Sequence, residues 1–252
     1  MNRLPALTGW LWLKQGFALF RKQPGLLTML LFANLMFTLV LSVIPVLGGI
    51  LSLVLTPALS MVIFQACRQL DDNQRITPAL LLTGFAKGKA GPLAKLGLVY
   101  FALAVLFIIA VAPWIDMNAM QAATKAAKAN IQPELPATTM QAFLALAAMF
   151  ALMIIALSFA PPLTHWKNMP TFKAIFYSVF AMLGSFAPML VMLGSWFGIY
   201  FVTLNSVMLL LGRTQFVIVV LMWMAMVFAV ILQCSLYAAY RQLLPDSTAP
   251  ED

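Results

Sequence analysis

Few side chains in this sequence have the types and spacing that acid–base, metal or covalent chemistry requires. His165 is the only histidine, and no cysteine or carboxylate lies near it in the sequence. One isolated histidine cannot supply the three or four ligands of a zinc site. The sequence also has no Ser-His-acid pattern and no glycine-rich loop of the kind that cradles phosphate. We therefore expect a protein that is not an enzyme and that has no catalytic residues, no metal site and no cofactor.

Polar side chains do occur inside the long apolar segments of the chain, but they are uncharged. All seven Asp and Glu lie outside these segments, whereas ion-coupled pathways usually place ionisable groups inside the bundle. The uncharged set comprises Asn34, Thr38, Thr56, Thr203, Asn205, Ser206 and Gln233. As interhelical hydrogen bonds, such groups contribute about 0.6–2 kcal/mol each, which suits helix packing. The alternative is that Asn34, Thr56, Pro57 and Asn205 line a polar crevice near the middle of the bundle.

Six apolar segments are long enough to cross a bilayer, and they must position these side chains. A hydrocarbon core about 30 Å thick needs about 20 helical residues, and its lack of water forces backbone groups to pair within each helix. The chain is 63% hydrophobic and only 9% charged. The sequence thus predicts an all-α polytopic membrane protein with one integral domain over 1–244 and a disordered cytoplasmic tail over 245–252. The predicted spans are 26–44, 48–66, 93–114, 140–159, 186–211 and 214–237.

The basic residues predict how the six spans are oriented. Twelve of the fifteen Lys and Arg fall in the two terminal segments and the connections on their side of the membrane, against three on the other side. Short loops rich in Lys and Arg stay in the cytoplasm. Both termini are therefore predicted to be cytoplasmic. Because the basic residues sit in short flanking segments, their charge does not indicate a nucleic-acid partner.

A weak threefold repeat accompanies the spans. Gly16-Phe17-Ala18 precedes Pro24, Gly84-Phe85-Ala86 precedes Pro92, and Phe180-Ala181 precedes Pro188, each just ahead of a span. We interpret the unit as an amphipathic helix in the membrane plane, a span and a return span, which gives two or three in-plane helices. The predicted apolar face of the first in-plane helix comprises Trp10, Leu13, Phe17 and Phe20.

The cationic residues around the spans predict contacts with anionic lipid headgroups. They are Lys14, Arg21, Lys22, Lys87, Lys89 and Lys95. The leading hypothesis is a non-enzymatic membrane protein that organises anionic lipid or a membrane protein complex, although the same cations could serve only to fix topology. The alternative is a small-molecule transporter or permease that uses the polar crevice. Gly194 and Gly198 form a GxxxG pair that predicts close helix packing, within one chain or in a homodimer.

Several short motifs resemble those of a group of uncharacterised multi-pass inner-membrane proteins of proteobacteria. The resembling residues are Phe20-Arg21 with Pro24, Ile44-Pro45 with Gly48, Thr56-Pro57-Ala58 with Cys67-Arg68, and Phe159-Ala160-Pro161-Pro162-Leu163 with Lys173-Ala174. Together they extend over most of the chain. The resemblance implies a bacterial inner-membrane location. It supplies no activity and no site residues.

Overall fold

The computed structural model describes residues 4–45, 47–85, 88, 90–128, 136–212 and 215–245. These residues form α-helices joined by short connections, and no strand occurs among them. The helices are α1 (Thr8–Lys22), α2 (Pro24–Ser42), α3 (Leu47–Asp71), α4 (Ala90–Val111), α5 (Met117–Lys128), α6 (Ala137–Ala156), α7 (Ala160–Trp166), α8 (Thr171–Gly184), α9 (Phe186–Leu211) and α10 (Gln215–Leu243). A 3-10 helix over Pro78–Phe85 precedes α4, and a second over Ala112–Trp114 follows it.

Six of these helical segments in the described part of the chain are long and apolar enough to cross a membrane. The prediction of an all-α fold with six spans is therefore confirmed. The helices of the second and sixth spans continue beyond the predicted boundaries, to Asp71 and Leu243. Their polar last turns therefore project beyond the apolar part of each span. Residues 246–252, which make up nearly all of the predicted tail, lie outside the described residues.

The fourth span differs from its predicted form because its helix is interrupted. The sequence predicted one segment over 140–159, but α6 ends at Ala156 and α7 begins at Ala160. Pro161 and Pro162 lie in the first turn of α7, and neither has an N–H with which to continue the helix of α6. Side chains from other helices form hydrogen bonds with the backbone at this break. Tyr100 Oη donates to the Leu157 carbonyl at 2.9 Å.

A serine of α8 also fastens this break. Ser178 Oγ donates to the Ala156 carbonyl at 2.7 Å and accepts from the Phe159 N–H at 3.2 Å. Ser178 is completely buried. Unpaired backbone groups are costly inside an apolar bundle, so this one hydroxyl stabilises both sides of the interruption.

The three segments predicted to precede the spans pack in a cyclic pattern. Each lies against the return span of the preceding unit: α1 on α10, the 3-10 helix Pro78–Phe85 on α3, and α8 on α7. The middle segment is thus a 3-10 helix, while the other two are α-helices. The six spans do not close into a complete ring. Helix α3 packs on α4 and α10 packs on α2, but the described residues of α6 and α9 do not pack on each other in the same way. The predicted threefold repeat therefore has a counterpart in the packing.

Glycines permit the close approach of α1 to its neighbours. A methyl group at Gly16 would overlap Ser235 of α10, and one at Gly9 would overlap the Pro188 carbonyl of α9. The face of α1 that packs inward carries these glycines with Trp12, whose Nε1 donates to Gln242 Oε1 at 2.6 Å. Trp12 is fully buried, and Leu19 is nearly so.

The predicted apolar face of α1 is therefore divided in the structure. Leu13 is buried with Trp12, whereas Trp10 and Phe17 are exposed on the other side of the helix. The sequence pattern missed this division, because Trp12 and the two glycines face the bundle through packing that hydropathy does not encode.

Cationic side chains gather where α1, α3 and α10 meet. Lys22 Nζ donates to the Leu70 carbonyl at the end of α3, and Arg241 pairs with Asp71. Lys167 Nζ donates to the Leu244 carbonyl just beyond α10, at 3.1 Å. Lys side chains at helix C-termini satisfy carbonyls that have no partner in the helix. We call this end of the bundle the basic end.

The packing of α1 predicts a contrast between two glycines. Gly16→Ala should lower the free energy of unfolding by about 1–3 kcal/mol, because the new methyl group overlaps the backbone of Ser235. Gly25→Ala is the matched control, since no described atom beyond its own chain neighbours and helix backbone lies within 4 Å of its Cβ position and alanine favours helix. Melting temperatures of both variants in one detergent would measure the difference. Equal melting temperatures would contradict the close crossing of α1 and α10.

Candidate functional site

A polar cleft of about 360 Å³ lies among α2, α3 and α10. Five uncharged polar side chains line it together with four apolar ones. The polar residues are Asn34, Thr38, Thr56, Ser60 and Gln233, and the apolar residues are Leu31, Leu35, Leu59 and Ala229. None of these lining residues is ionisable. The cleft is thus a hydrogen-bonding surface without formal charge inside a predominantly apolar bundle.

The hydroxyl groups of the cleft present acceptors rather than donors. Thr38 donates to the Asn34 carbonyl, Thr56 to the Ser52 carbonyl and Ser60 to the Pro57 carbonyl, each at 2.9 Å. A hydroxyl has one hydrogen to donate and two lone pairs. With each hydrogen bound to its own helix, these oxygens can only accept hydrogen bonds from a further group.

Two amide side chains complete the cleft. Asn34 is 9% exposed, and its Nδ2 donates to the Leu59 carbonyl at 3.0 Å, which ties α2 to α3. Gln233 Oε1 is buried and receives no hydrogen bond from any described residue. A buried acceptor without a donor costs about 1–3 kcal/mol. The cleft therefore has an excess of acceptors, with the least satisfied one on α10.

The structure brings together some of the predicted crevice residues and separates others. Asn34 and Thr56 both line the cleft. Pro57 is buried beside it in α3, but is not a lining residue. Asn205 is exposed on α9, where its Nδ2 donates to the Phe201 carbonyl of its own helix. The crevice prediction named Gln233 only among the polar residues and omitted Ser60, because sequence cannot fix how α3 and α10 are rotated.

A second concavity lies beside α1 and has different chemistry. This apolar groove of about 350 Å³ is formed by residues of α1, α9 and α10, and Lys14 is the only charged residue among the described residues that line it. Its lining residues are Trp10, Leu13, Lys14, Phe17, Trp196, Ile199, Phe228 and Ile231. Lys14 Nζ lies 5.6 Å from the centre of the Trp10 ring, within the range of a cation–π contact.

The exposed face of α1 alternates aromatic and cationic residues. Trp10, Lys14, Phe17 and Arg21 follow each other at spacings of four, three and four, which places them on one stripe of the helix. All four are exposed, opposite the face that holds Trp12. Such a stripe matches the boundary between acyl chains and phosphates in a membrane surface.

The other predicted headgroup contacts have separate positions. Lys22 is engaged with the end of α3, as described above. Lys95 is exposed near the start of α4 and borders a cleft that includes Phe172 of α8. Lys87 and Lys89 lie outside the described residues.

The predicted packing glycines lie on an outward face. Gly194 and Gly198 are exposed on α9, and no atom of the described chain lies within 4 Å of either Cβ position. They are thus not used for close helix approach within the described part of this chain. The homodimer alternative stays a prediction.

The two cysteines, which the sequence treats as separate apolar residues, meet inside the bundle. Their sulfur atoms are 3.1 Å apart, and both residues are completely buried and free. Phe64 and Tyr237, each three residues from one of these cysteines, also pack edge to face between the same two helices. Among the described residues no group of three His, Cys, Asp or Glu could hold a metal ion.

Comparison with known proteins relates the chain to a bacterial membrane protein. The sequence is 31% identical over 250 residues to a probable inner membrane protein of Burkholderia thailandensis, with 94% of this chain and 90% of that protein covered. The chain belongs to the family of this inner membrane protein. The resemblance stated from the sequence motifs is thereby confirmed, as is a multi-pass membrane location. No protein-family model and no solved structure matches the chain.

The meeting of Cys67 and Cys234 predicts that α3 and α10 can be cross-linked. Treatment with the two-electron oxidant diamide should join the two sulfurs, as each thiol loses its hydrogen and diamide is reduced to the hydrazine. Intact mass after alkylation of the denatured protein should show two fewer adducts than before oxidation. Cys67→Ser should keep one adduct throughout. Two alkylatable cysteines even after oxidation just below the melting temperature, where transient opening admits diamide, would contradict the packing of α3 on α10.

Proposed function

We propose that this inner membrane protein is non-enzymatic and holds an anionic phospholipid at its basic end. In this proposal one acyl chain occupies the apolar groove beside α1, and the phosphate lies at Lys14 and Arg21. The observation that carries the proposal is the coincidence of an apolar groove with the aromatic and cationic stripe of α1.

The charges of the groove favour an anionic occupant. Lys14 is the only ionisable residue among those that line it, and Arg21 follows two helical turns later on the same stripe. Each Lys or Arg near a membrane surface contributes about 1 kcal/mol to binding of anionic lipid. A neutral lipid could enter the groove with its acyl chain, but it would gain nothing from these cations.

The amphipathic helix α8 supports the same placement of the membrane surface. Phe172, Phe176 and Phe180 form an exposed row on α8, while Ala174 and Ser178 face the bundle. An exposed aromatic row on a short helix is typical of a helix that lies in the membrane interface. In the proposal, α1 and α8 therefore lie in the same leaflet and expose aromatic residues to its acyl chains.

A second candidate function is transport of a small molecule, and the polar cleft of α2, α3 and α10 favours it. In that case the cleft holds the substrate, and water reaches it during the transport cycle. Asn205 has no part in this version of the crevice, because it is exposed on α9.

Removing the charges of the α1 stripe should weaken binding of anionic lipid. We expect the Lys14→Gln, Arg21→Gln double variant to retain phosphatidylglycerol about tenfold or more weakly than wild type, since each charge is worth roughly fivefold. Native mass spectrometry after release from nanodiscs of phosphatidylglycerol and phosphatidylcholine would measure retention. Phosphatidylcholine retention should not change.

Two further variants separate the groove from charge in general. Lys125→Gln removes an exposed cation of α5, away from the groove, and should leave retention unchanged. Ile199→Trp adds bulk to the groove lining without altering charge and should reduce occupancy by both lipids. Equal loss of phosphatidylglycerol in Lys14→Gln, Arg21→Gln and in Lys125→Gln would refute the proposed site.

The positive-inside bias predicts that the basic end faces the cytoplasm. Fusions of green fluorescent protein to either end of the chain should therefore be fluorescent, and fusions of alkaline phosphatase should be inactive. Phosphatase activity at one end only would mean an odd number of spans. Phosphatase activity at both ends would mean that both termini lie on the periplasmic side, opposite to the prediction.

A further inference from the structure

We infer that the polar cleft of α2, α3 and α10 binds a small uncharged molecule that carries several hydroxyl or amide hydrogens. The site is separate from the lipid groove, since the two have no lining residue in common. The inference rests on the cleft of the second candidate function and names the chemistry of its ligand. It requires binding, but not transport.

The hydrogen-bonding capacity of the cleft defines what the ligand must supply. Thr38, Thr56 and Ser60 each direct their single hydrogen to a helix carbonyl, so their free lone pairs can only accept. Gln233 Oε1 is a buried acceptor with no donor among the described residues. A molecule rich in donors satisfies these groups, whereas a molecule with acceptors alone leaves them unpaired.

The absence of ionisable lining residues defines the ligand's charge. A buried anion or cation needs an opposite charge or several strong dipoles to offset the loss of hydration. The cleft offers no opposite charge among its described lining residues. A neutral polyol or amide loses far less hydration energy than an ion on entering such a site.

The size and apolar wall of the cleft are consistent with this class. Its volume of about 360 Å³ lies at the lower end of the range for small-molecule pockets. Leu31, Leu35, Leu59 and Ala229 form the apolar part of the lining and can contact the carbon skeleton of a polyol. Ala229 has the smallest side chain in the lining, so a larger residue there would fill part of the cleft.

Protection of an introduced cysteine tests the inference. Ser60→Cys is made in a chain that also carries Cys67→Ala and Cys234→Ala, and its rate of reaction with a polar methanethiosulfonate reagent is measured in proteoliposomes. Erythritol, which has four hydroxyl donors, should slow the reaction at least threefold. At matched osmolarity, 1,2-dimethoxyethane has acceptors only and should not slow it.

Three controls make the outcome specific to the cleft. Asn118→Cys, at an exposed position of α5, should react at the same rate with and without erythritol. Adding Gln233→Leu to Ser60→Cys should weaken erythritol protection about five- to tenfold while labelling continues, because one buried acceptor is lost. Ala229→Leu should slow labelling without any ligand. If Ser60→Cys does not fold, Thr56→Cys provides a second labelling position in the same cleft.

The melting temperature of Gln233→Leu distinguishes a ligand-binding role of Gln233 from a packing role, because the two roles predict changes in opposite directions. Gln233→Leu should melt at the same temperature as wild type or higher, because it removes an unpaired buried acceptor. A lower melting temperature would assign Gln233 to packing and overturn the inference.

The remaining outcomes also decide the question. No labelling at either cysteine would mean a dry cleft and would overturn both ligand binding and transport. Equal slowing by both solutes, no slowing by erythritol, or slowing by sodium chloride alone would overturn the donor-rich ligand. Protection by erythritol without polyol flux into the proteoliposomes would support the site and reject transport. Gln233→Leu should not change retention of phosphatidylglycerol, so the test of the lipid proposal is independent of the test of the polar cleft.

Discussion

Close packing of helices has to hold this bundle together, because lipid removes the hydrophobic driving force that packs helices in water. The structure meets this constraint with glycines where helices cross, of which three are in long helices. Gly9 and Gly16 let α1 approach α9 and α10, and Gly97 lets α4 approach Val54 of α3. In each case a single methyl group would overlap backbone atoms of the neighbour. At this close approach, dispersion contacts and a few interhelical hydrogen bonds hold the helices together.

Hydrogen bonds between helices concentrate where the backbone of a span is interrupted or ends. Tyr100 and Ser178 bind the break between α6 and α7, and Lys22 and Lys167 bind carbonyls at the ends of α3 and α10. The groups at the ends can reach water or headgroups, whereas those at the break must be satisfied by protein. The polar cleft is the contrasting case, since its oxygens keep unused acceptor capacity. This difference separates the side chains that stabilise the bundle from those proposed to bind a ligand.

Much of the fold could be predicted from the sequence because the hydrocarbon core imposes a length and a composition on every span. The rotation of each helix about its axis was not predictable, since spans that are apolar all round give no periodic signal. Asn205 and Asn34 therefore looked equivalent in sequence, although one is exposed on α9 and the other is buried in the cleft. The pairing of Cys67 with Cys234, 167 residues apart, depends on the same unknown rotations.

The contact between α1 and α10 affects how the chain reaches its final structure during synthesis. Helix α1 is synthesised before the other described helices, yet its partner surface around Ser235 and Gln242 belongs to the last of them. Until then, Trp12 and the glycine face of α1 have no permanent neighbour. Because α1 is amphipathic, it can lie at the bilayer surface while the intervening spans are inserted into the membrane. The bundle can therefore close only once α10 has been made, and truncation before α10 would leave α1 without this docking partner.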